Sequence, residues 1–474
     1  MVFSSITFLI YFLLLLFAAY FLMPARFRGM RNLVLLIFSL IFYAYGGVKY
    51  LPLLLTSVAI NYLGGLFAGD RFSGRVRSCA TLLTVTANLL LLGWFKYAGF
   101  FAQMINDLGV SVPVPQIVLP IGISFFTFQG LSYVIDVRRG DAQVQKNPLN
   151  VALYVVLFPQ LVAGPIVRYT TVAEEIGHRR ETLDDFAQGS VRFMIGLGKK
   201  MLMANPMSEI ADGVFALVPG EMSVALAWVG AVAYTFQIYF DFSAYSDMAI
   251  GLGRIFGFHF LENFNYPYIA RSITDFWRRW HISLSTWFRD YVYIPLGGNR
   301  CSPARHICNI AVVWLLTGLW HGAAWTFVAW GGWFGVLLLC EKYLWTRAVE
   351  KAPRVLASVY TMLAVILSWV LFRSATFTYA LDFIKAMFGV GGHALYCGKA
   401  AFYLRQYFFY LLICCVGALP VKNKLRESLS RHSDRLSCQL VLEWGPKFWA
   451  LGVLMLSYMK LATGSFNPFI YFQF

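Results

Sequence analysis

Charge is scarce in this 474-residue chain: 13% of its residues are Asp, Glu, Lys or Arg, and 59% are hydrophobic. Soluble domains carry roughly a quarter charged residues, and the mean hydropathy here is +0.63. A water-soluble globular protein is therefore excluded, and the chain reads as an integral membrane protein surrounded by lipid, with no nucleic-acid partner. No Ser/Pro/Gly-rich linker or charged low-complexity tract divides it. One helical domain is expected, with residues 141–345 as its central region between the N-terminal spans of 1–140 and the C-terminal spans of 346–474. No internal repeat is visible, which argues against a transporter built from duplicated halves. The eight cysteines include no Cys-x-x-Cys pair, and Cys301 and Cys308 have no second pair near them in the sequence. Reduced or buried thiols are expected, and no metal site.

The first 25 residues carry no charged side chain. The apolar stretch Ile6 to Met23 has neither a basic leader nor an Ala-x-Ala cleavage site, so it is expected to stay as a membrane span. Arg26, Arg28 and Arg31 follow it, and the retention of positive charge on the cytoplasmic side places the N-terminus outside. Further charge-free stretches fit ~30 Å of hydrocarbon. They run Asn32 to Val48, Tyr50 to Gly69, Ser78 to Phe95, Leu108 to Ile135, Met222 to Phe240, Val355 to Phe372, Gln406 to Val421 and Phe448 to Met459. Pro148 to Val167 has basic flanks on both sides and contains Pro159, Gly164 and Pro165, which reads as a re-entrant segment. The expected architecture is all-α: a polytopic membrane bundle of about nine to twelve spans, with re-entrant and interfacial helices.

What charge there is clusters. Between Arg254 and Arg305 lie seven arginines, three acids and no lysine. Within that stretch Ile273, Phe276, Trp277, Trp280, Leu284, Trp287, Phe288 and Tyr291 recur at helical spacing, which predicts one or two amphipathic helices at the cytoplasmic interface. Such a surface either anchors the protein through snorkelling arginines or forms a guanidinium-lined mouth for a phosphorylated donor such as coenzyme A. Arg289 is the better donor-binding candidate, and its neighbour Asp290 points to another side of a helix, so the two need not pair.

Two histidines stand out. His281 follows Trp280 in the aromatic stretch. His321 sits in a run from His306 to Cys340 that contains no Asp, Glu, Lys or Arg. A wholly helical run of that length would extend ~52 Å, too long for one straight crossing. A break near Gly318 and Gly322 is expected, leaving His321 facing a cavity. Asp241 and Asp247 also lie in apolar sequence; they either pair with arginines or tyrosine hydroxyls to hold helices together, or orient a histidine or bind acceptor.

The segments Trp277–Ser285, Trp287–Tyr291, Pro295–Arg300 and Gly318–Gly322 resemble the membrane-bound O-acyltransferases, in particular the bacterial branch that acetylates alginate and related polysaccharides. Leu119–Gln129, Phe158–Ile166, Tyr239–Met248 and Asn467–Phe472 extend that resemblance over nearly the whole chain. It implies a multi-helix bundle enclosing a funnel or tunnel. It also implies that His321 is the intramembrane general base and His281 the second histidine of the bacterial branch. Arg289, Arg278, Asn299, Trp320 and Asp241 are the candidate substrate-binding residues. The implied reaction moves acetyl from cytoplasmic acetyl-CoA, with no bound cofactor, toward hydroxyls of an exported polysaccharide, and a periplasmic or extracellular acetyltransferase completes the transfer. The expected location is the bacterial inner membrane.

The chemistry agrees. A neutral imidazole with an unperturbed pKa of roughly 6.5 suits deprotonation of an attacking hydroxyl. Oxyanion donors are the Trp320 indole N–H, His281 or backbone N–H groups. Two alternatives stay open: D-alanyl transfer to teichoic acid from a carrier protein, and a proton-coupled transporter or lipid flippase using His321, Asp241 and Asp247.

Overall fold

The computed structural model describes residues 1–432 and 435–464; the Asn467–Phe472 motif lies outside them. Among the described residues every regular element is helical. This is the solution hydrocarbon imposes, since a helix pairs its own backbone donors and acceptors. Val48–Ala68, Gly74–Asp107, Val224–Ile255 and Arg354–Arg373 are each long and apolar enough to cross a bilayer. The consecutive helices Gly398–Gln406 and Phe408–Gly417 are bent by 63° and make one broken span or a re-entrant pair.

Several expected spans take another form. Leu108 to Ile135 is not one helix: Pro113, Pro115 and Pro120 keep the chain irregular, and the helix Ile123–Arg139 begins only after Gly122 turns with φ +76°. Proline lacks the donor a helix needs and restricts the residue before it, so the apolar run could not stay helical. Pro148 to Val167, expected as a re-entrant segment and not as a span, folds as a nine-residue helix, Pro148–Val156, and a four-residue one, Phe158–Leu161. Neither is long enough to cross. Met222 to Phe240 grows instead into the 32-residue helix Val224–Ile255, because the two aspartates beyond Phe240 are neutralised. Lys200 Nζ lies 2.7 Å from Asp241 Oδ1, and Arg192 Nη2 lies 2.9 Å from Asp247 Oδ1.

The chain forms two compact units, one of residues 1–193 and 245–261, the other of 194–244 and 262–474. The first has an aromatic core in which Phe3, Phe8, Phe42 and Phe158 are buried and Phe3 stacks on Tyr245 at 4.4 Å. Asn61 and Asn88 exchange two side-chain hydrogen bonds of 3.1 Å between the helices Leu51–Ala68 and Gly74–Asp107. Paired amides satisfy each other and hold apolar helices in register. Glu181 gathers three guanidiniums: Arg28, Arg31 at 2.9 Å and Arg179 at 3.6 Å. Tyr20 donates its hydroxyl to the same carboxylate.

The second unit is built around Phe276, Trp330, Phe334 and Trp369, none more than 1% exposed. The aromatic stretch, expected to form one or two amphipathic helices, folds as two short ones, Ile273–Trp277 and Ile282–Phe288, followed by a wide π-helical turn, Arg289–Tyr293. The interruption falls at His281, whose backbone is left-handed (φ 44°, ψ 53°). L-residues avoid that region because Cβ crowds the carbonyl, so no helix runs through it.

The Glu181 cluster gives a direct prediction. Replacing Glu181 with Ala strands buried guanidiniums and should cost about 3–5 kcal/mol. Thermal unfolding of the purified protein, followed by circular dichroism, should show a clearly lowered midpoint, and an unchanged midpoint would contradict the role given to this carboxylate.

Candidate active site

The second unit brings the two histidines to one tryptophan. His321 is the last residue of the helix Pro303–His321, and the chain is extended at Gly322 and Ala324 before the helix Trp325–Tyr343 begins. The predicted break therefore lies immediately after His321. Gly318 has a different use, close contact with the returning helix. A Cβ on Gly318 would stand 2.3 Å from the Phe327 carbonyl oxygen, and one on Gly331 would stand 2.2 Å from that of Trp314. Only hydrogen fits, and the two helices approach backbone to backbone.

This close hairpin surrounds the His321 ring with aromatic edges and faces. Its centroid lies 4.9 Å from Trp320, 5.0 Å from Trp330 and 5.2 Å from Phe372, each near perpendicular. The ring is half-buried. Trp320, itself buried, lies 5.9 Å from the His281 ring. Forty residues separate the histidines in sequence, and a single indole contacts both.

His281 is held differently. It is 1% exposed, and the Phe242 ring packs edge-on against it at 4.6 Å. Its Nδ1 lies 3.2 Å from Asn263 Oδ1, while Nε2 is buried without a hydrogen-bond partner. A buried unsatisfied acceptor costs about 1–3 kcal/mol, and such atoms mark places where a ligand or water belongs. Burial disfavours the charged ring and pulls its pKa down to about 3, so His281 is neutral at physiological pH. His281 and Tyr266 are the non-glycine residues with positive φ among the described residues, and strained backbone of this kind gathers at functional sites.

The helix Trp325–Tyr343 ties the two histidines together. Near its start Trp330 touches His321. Near its end Glu341, 6% exposed, accepts hydrogen bonds from the backbone N–H of Ile273 at 2.6 Å and of Thr274 at 3.1 Å, and from the Thr274 hydroxyl at 3.0 Å. Those residues open the short helix that leads through Trp277 and Trp280 to His281. Between the two ends, Phe334 packs against Trp277 at 4.9 Å. One rigid rod thus spaces the imidazoles.

The other candidates lie apart from this centre or are occupied. Arg289 is 58% exposed and pairs with Asp290: Nε to Oδ1 is 2.6 Å and Nη2 to Oδ2 is 3.1 Å. Exposed side chains one residue apart can fold onto each other at the π-helical turn, whatever directions their Cα–Cβ bonds take. Arg278 is exposed. Asn299 is exposed and accepts a hydrogen bond from the Tyr293 hydroxyl. Asp241, 1% exposed, is bound by Lys200, a lysine where arginine or tyrosine was expected. Sequence reasoning missed Asn263, Lys200 and Glu341, since a buried polar residue in apolar sequence does not announce its partner.

Helical membrane architecture with a histidine pair in aromatic surroundings is compatible with a membrane-embedded transferase. The comparison with known proteins makes this specific. Residues 48–381 match the model of the membrane-bound O-acyltransferase family. The chain is 42% identical to a probable alginate O-acetylase of Azotobacter vinelandii, with all of both proteins covered. It is 36% identical to a peptidoglycan O-acetyltransferase of Helicobacter pylori over 83% of this chain and 81% of that one. It is 30% identical to a teichoic acid D-alanyltransferase of Bacillus subtilis over 51% and 64% respectively. The chain belongs to the membrane-bound O-acyltransferase family and is a multi-pass membrane O-acyltransferase.

The glycine contact between the two helices is testable with its own control. Gly331→Ala should force the hairpin apart and lower acyl transfer at least about tenfold, since misplacement by ~1 Å can cost that much or more. Gly332→Ala, where a Cβ meets nothing within 4 Å, should leave it unchanged. Equal rates for the two variants would contradict the spacing role.

Proposed function

We propose that this protein is an inner-membrane O-acetyltransferase that takes acetyl from cytoplasmic acetyl-CoA and moves it toward hydroxyl groups of an exported polysaccharide such as alginate, with an extracytoplasmic acetyltransferase completing the transfer. The observation that carries the reading is the convergence of His321 and His281 on Trp320. Full-length similarity to an alginate O-acetylase supports the acetyl group and the acceptor class.

In this reading the acceptor oxygen attacks the thioester carbonyl carbon while His321 takes the hydroxyl proton. The tetrahedral oxyanion collapses, the C–S bond breaks, and the coenzyme A thiolate leaves and recovers a proton from the His321 imidazolium. Transfer is direct, without an acyl-enzyme. The aromatic surround excludes bulk water, which strengthens each electrostatic contact and protects the thioester from hydrolysis. The Trp320 indole N–H and nearby backbone N–H groups serve as oxyanion donors. Arg278, Arg289 and Asn299, all exposed, are the residues assigned to the phosphates of the donor, Arg289 with its charge already shared by Asp290. Asp241 supports the site through its Lys200 pair.

D-alanyl transfer from a carrier protein is the second reading, favoured by the teichoic acid relative but over only 51% of this chain. Family membership sets the transporter and flippase readings aside. Purified protein in proteoliposomes, given radiolabelled acetyl-CoA and an oligosaccharide acceptor, should form labelled ester. His321→Ala should reduce the rate by ~10²–10⁴-fold, the usual worth of a general base. Unimpaired transfer by that variant would remove His321 from the mechanism, and label transfer from an aminoacyl carrier alone would move the assignment to D-alanylation.

A further inference from the structure

We infer that Asn263 is a positioning residue: it fixes the proton of His281 on Nδ1 and so turns Nε2 into a bare, preoriented lone pair for a hydrogen-bond donor on a substrate. Asn263 is fully buried. Its Oδ1 receives the Ser283 backbone N–H at 3.1 Å and the Ser283 hydroxyl at 2.9 Å, and it is the atom that faces His281 Nδ1 at 3.2 Å. A backbone N–H can only donate, so the atom it meets is the amide oxygen and not the amide nitrogen. An amide oxygen can only accept, and the Ser283 hydroxyl, though 3.5 Å from Nδ1, gives its one hydrogen to that oxygen, so the hydrogen between the oxygen and Nδ1 belongs to the ring. The neutral imidazole then has no proton on Nε2, the nitrogen that is buried and unpartnered.

The left-handed backbone at His281 serves the same end. It turns the chain back so that Ile282 N–H donates to the Asn263 carbonyl at 3.0 Å and Ser283 reaches the Asn263 side chain. Residues 281–283 are thereby docked onto one asparagine. This narrows the chemistry of the site. His281 in this tautomer cannot donate to an oxyanion, which leaves that task to Trp320 and the backbone, and it can only accept. The ligand groups that fit are an acceptor hydroxyl or an amide N–H of the donor's pantetheine arm.

The segments that pack on His281 carry few titratable groups. Asp241 precedes Phe242 and is bound by Lys200, and Arg279 on the same turn is paired with Asp275 at 2.8 Å. Glu262 precedes Asn263, and His321 follows Trp320. Burial is what holds the ring neutral. A carboxylate in place of Asn263 would reverse that balance by stabilising the imidazolium, so that Nε2 becomes a donor.

The inference rests on the acetyl-transfer reading only for its kinetic arm. Solid-state nitrogen NMR of full-length protein labelled at the histidine nitrogens, with His281→Gln as the difference spectrum, reads the tautomer without any substrate. The expected signal is a neutral ring protonated at Nδ1, replaced in Asn263→Ala by a mixture of tautomers. A ring protonated at Nε2, or a spectrum unmoved by Asn263→Ala, overturns the proposal even if acetyl transfer is confirmed. In the kinetic arm, Asn263→Asp should lose rate more steeply than the parent as pH falls, because protonation of His281 adds a second limb to the one the His321 base gives both proteins, and at pH 7 should be slower by at least about tenfold. A lowered kcat with unchanged KM for acetyl-CoA identifies the acceptor hydroxyl as the group held. A raised KM for acetyl-CoA identifies the pantetheine amide. A pH profile and constants equal to the parent's overturn the role. If the parent transfers no acetyl from acetyl-CoA, the donor assignment fails while the NMR result stands by itself.

Discussion

A polar group inside an apolar helix bundle has to find its partner within the protein, because neither lipid nor packed side chains offer one. That constraint orders this structure from one end to the other. Glu181 is held by arginines, Asn61 by Asn88, Asp241 by Lys200, and Glu341 by the donors at the head of a short helix. Each pairing lets an otherwise costly side chain serve as a joint. At His281 one ring nitrogen is tied to Asn263, and the other, like the indole N–H groups of Trp277 and Trp330, is buried without a hydrogen-bond partner.

Close helix packing supplies the second half of the design. The hairpin around Gly318 and Gly331 brings backbone against backbone and leaves His321 at the end of its helix, where the chain turns. The returning helix carries Trp330 to that histidine and Glu341 to the segment that ends at the other. Distances at the site are therefore set by a helix, a stiffer element than a loop, and a transferase that must align an acyl donor with its acceptor gains from that stiffness.

Much of this was legible in the sequence, and for physical reasons. Low charge and long apolar runs left a membrane helix bundle as the available class. The excess length of the run around His321 required a break, and the break is there. The recurring motifs led to the family. What was not legible depended on pairing across long sequence distances. Nothing local shows that Asp241 will find Lys200, and the Val224–Ile255 helix outran its charge-free stretch for that reason. The aromatic spacing around Trp277 predicted one or two helices and could not reveal the left-handed residue at His281, because that conformation is imposed by Asn263 and Ser283. Adjacent Arg289 and Asp290, whose directions on a regular helix do not require pairing, meet at the π-helical turn.

The central claim is that the acyl group is transferred at the two histidines around Trp320. A structure of the protein bound to a non-hydrolysable thioether analogue of acetyl-CoA tests it most directly. The analogue's carbonyl carbon should lie beside Trp320, with an oxygen-sized space between it and His321 and with ring nitrogens within ~3–4 Å of the reacting atoms. An analogue seated with its acyl group away from both imidazoles would contradict it.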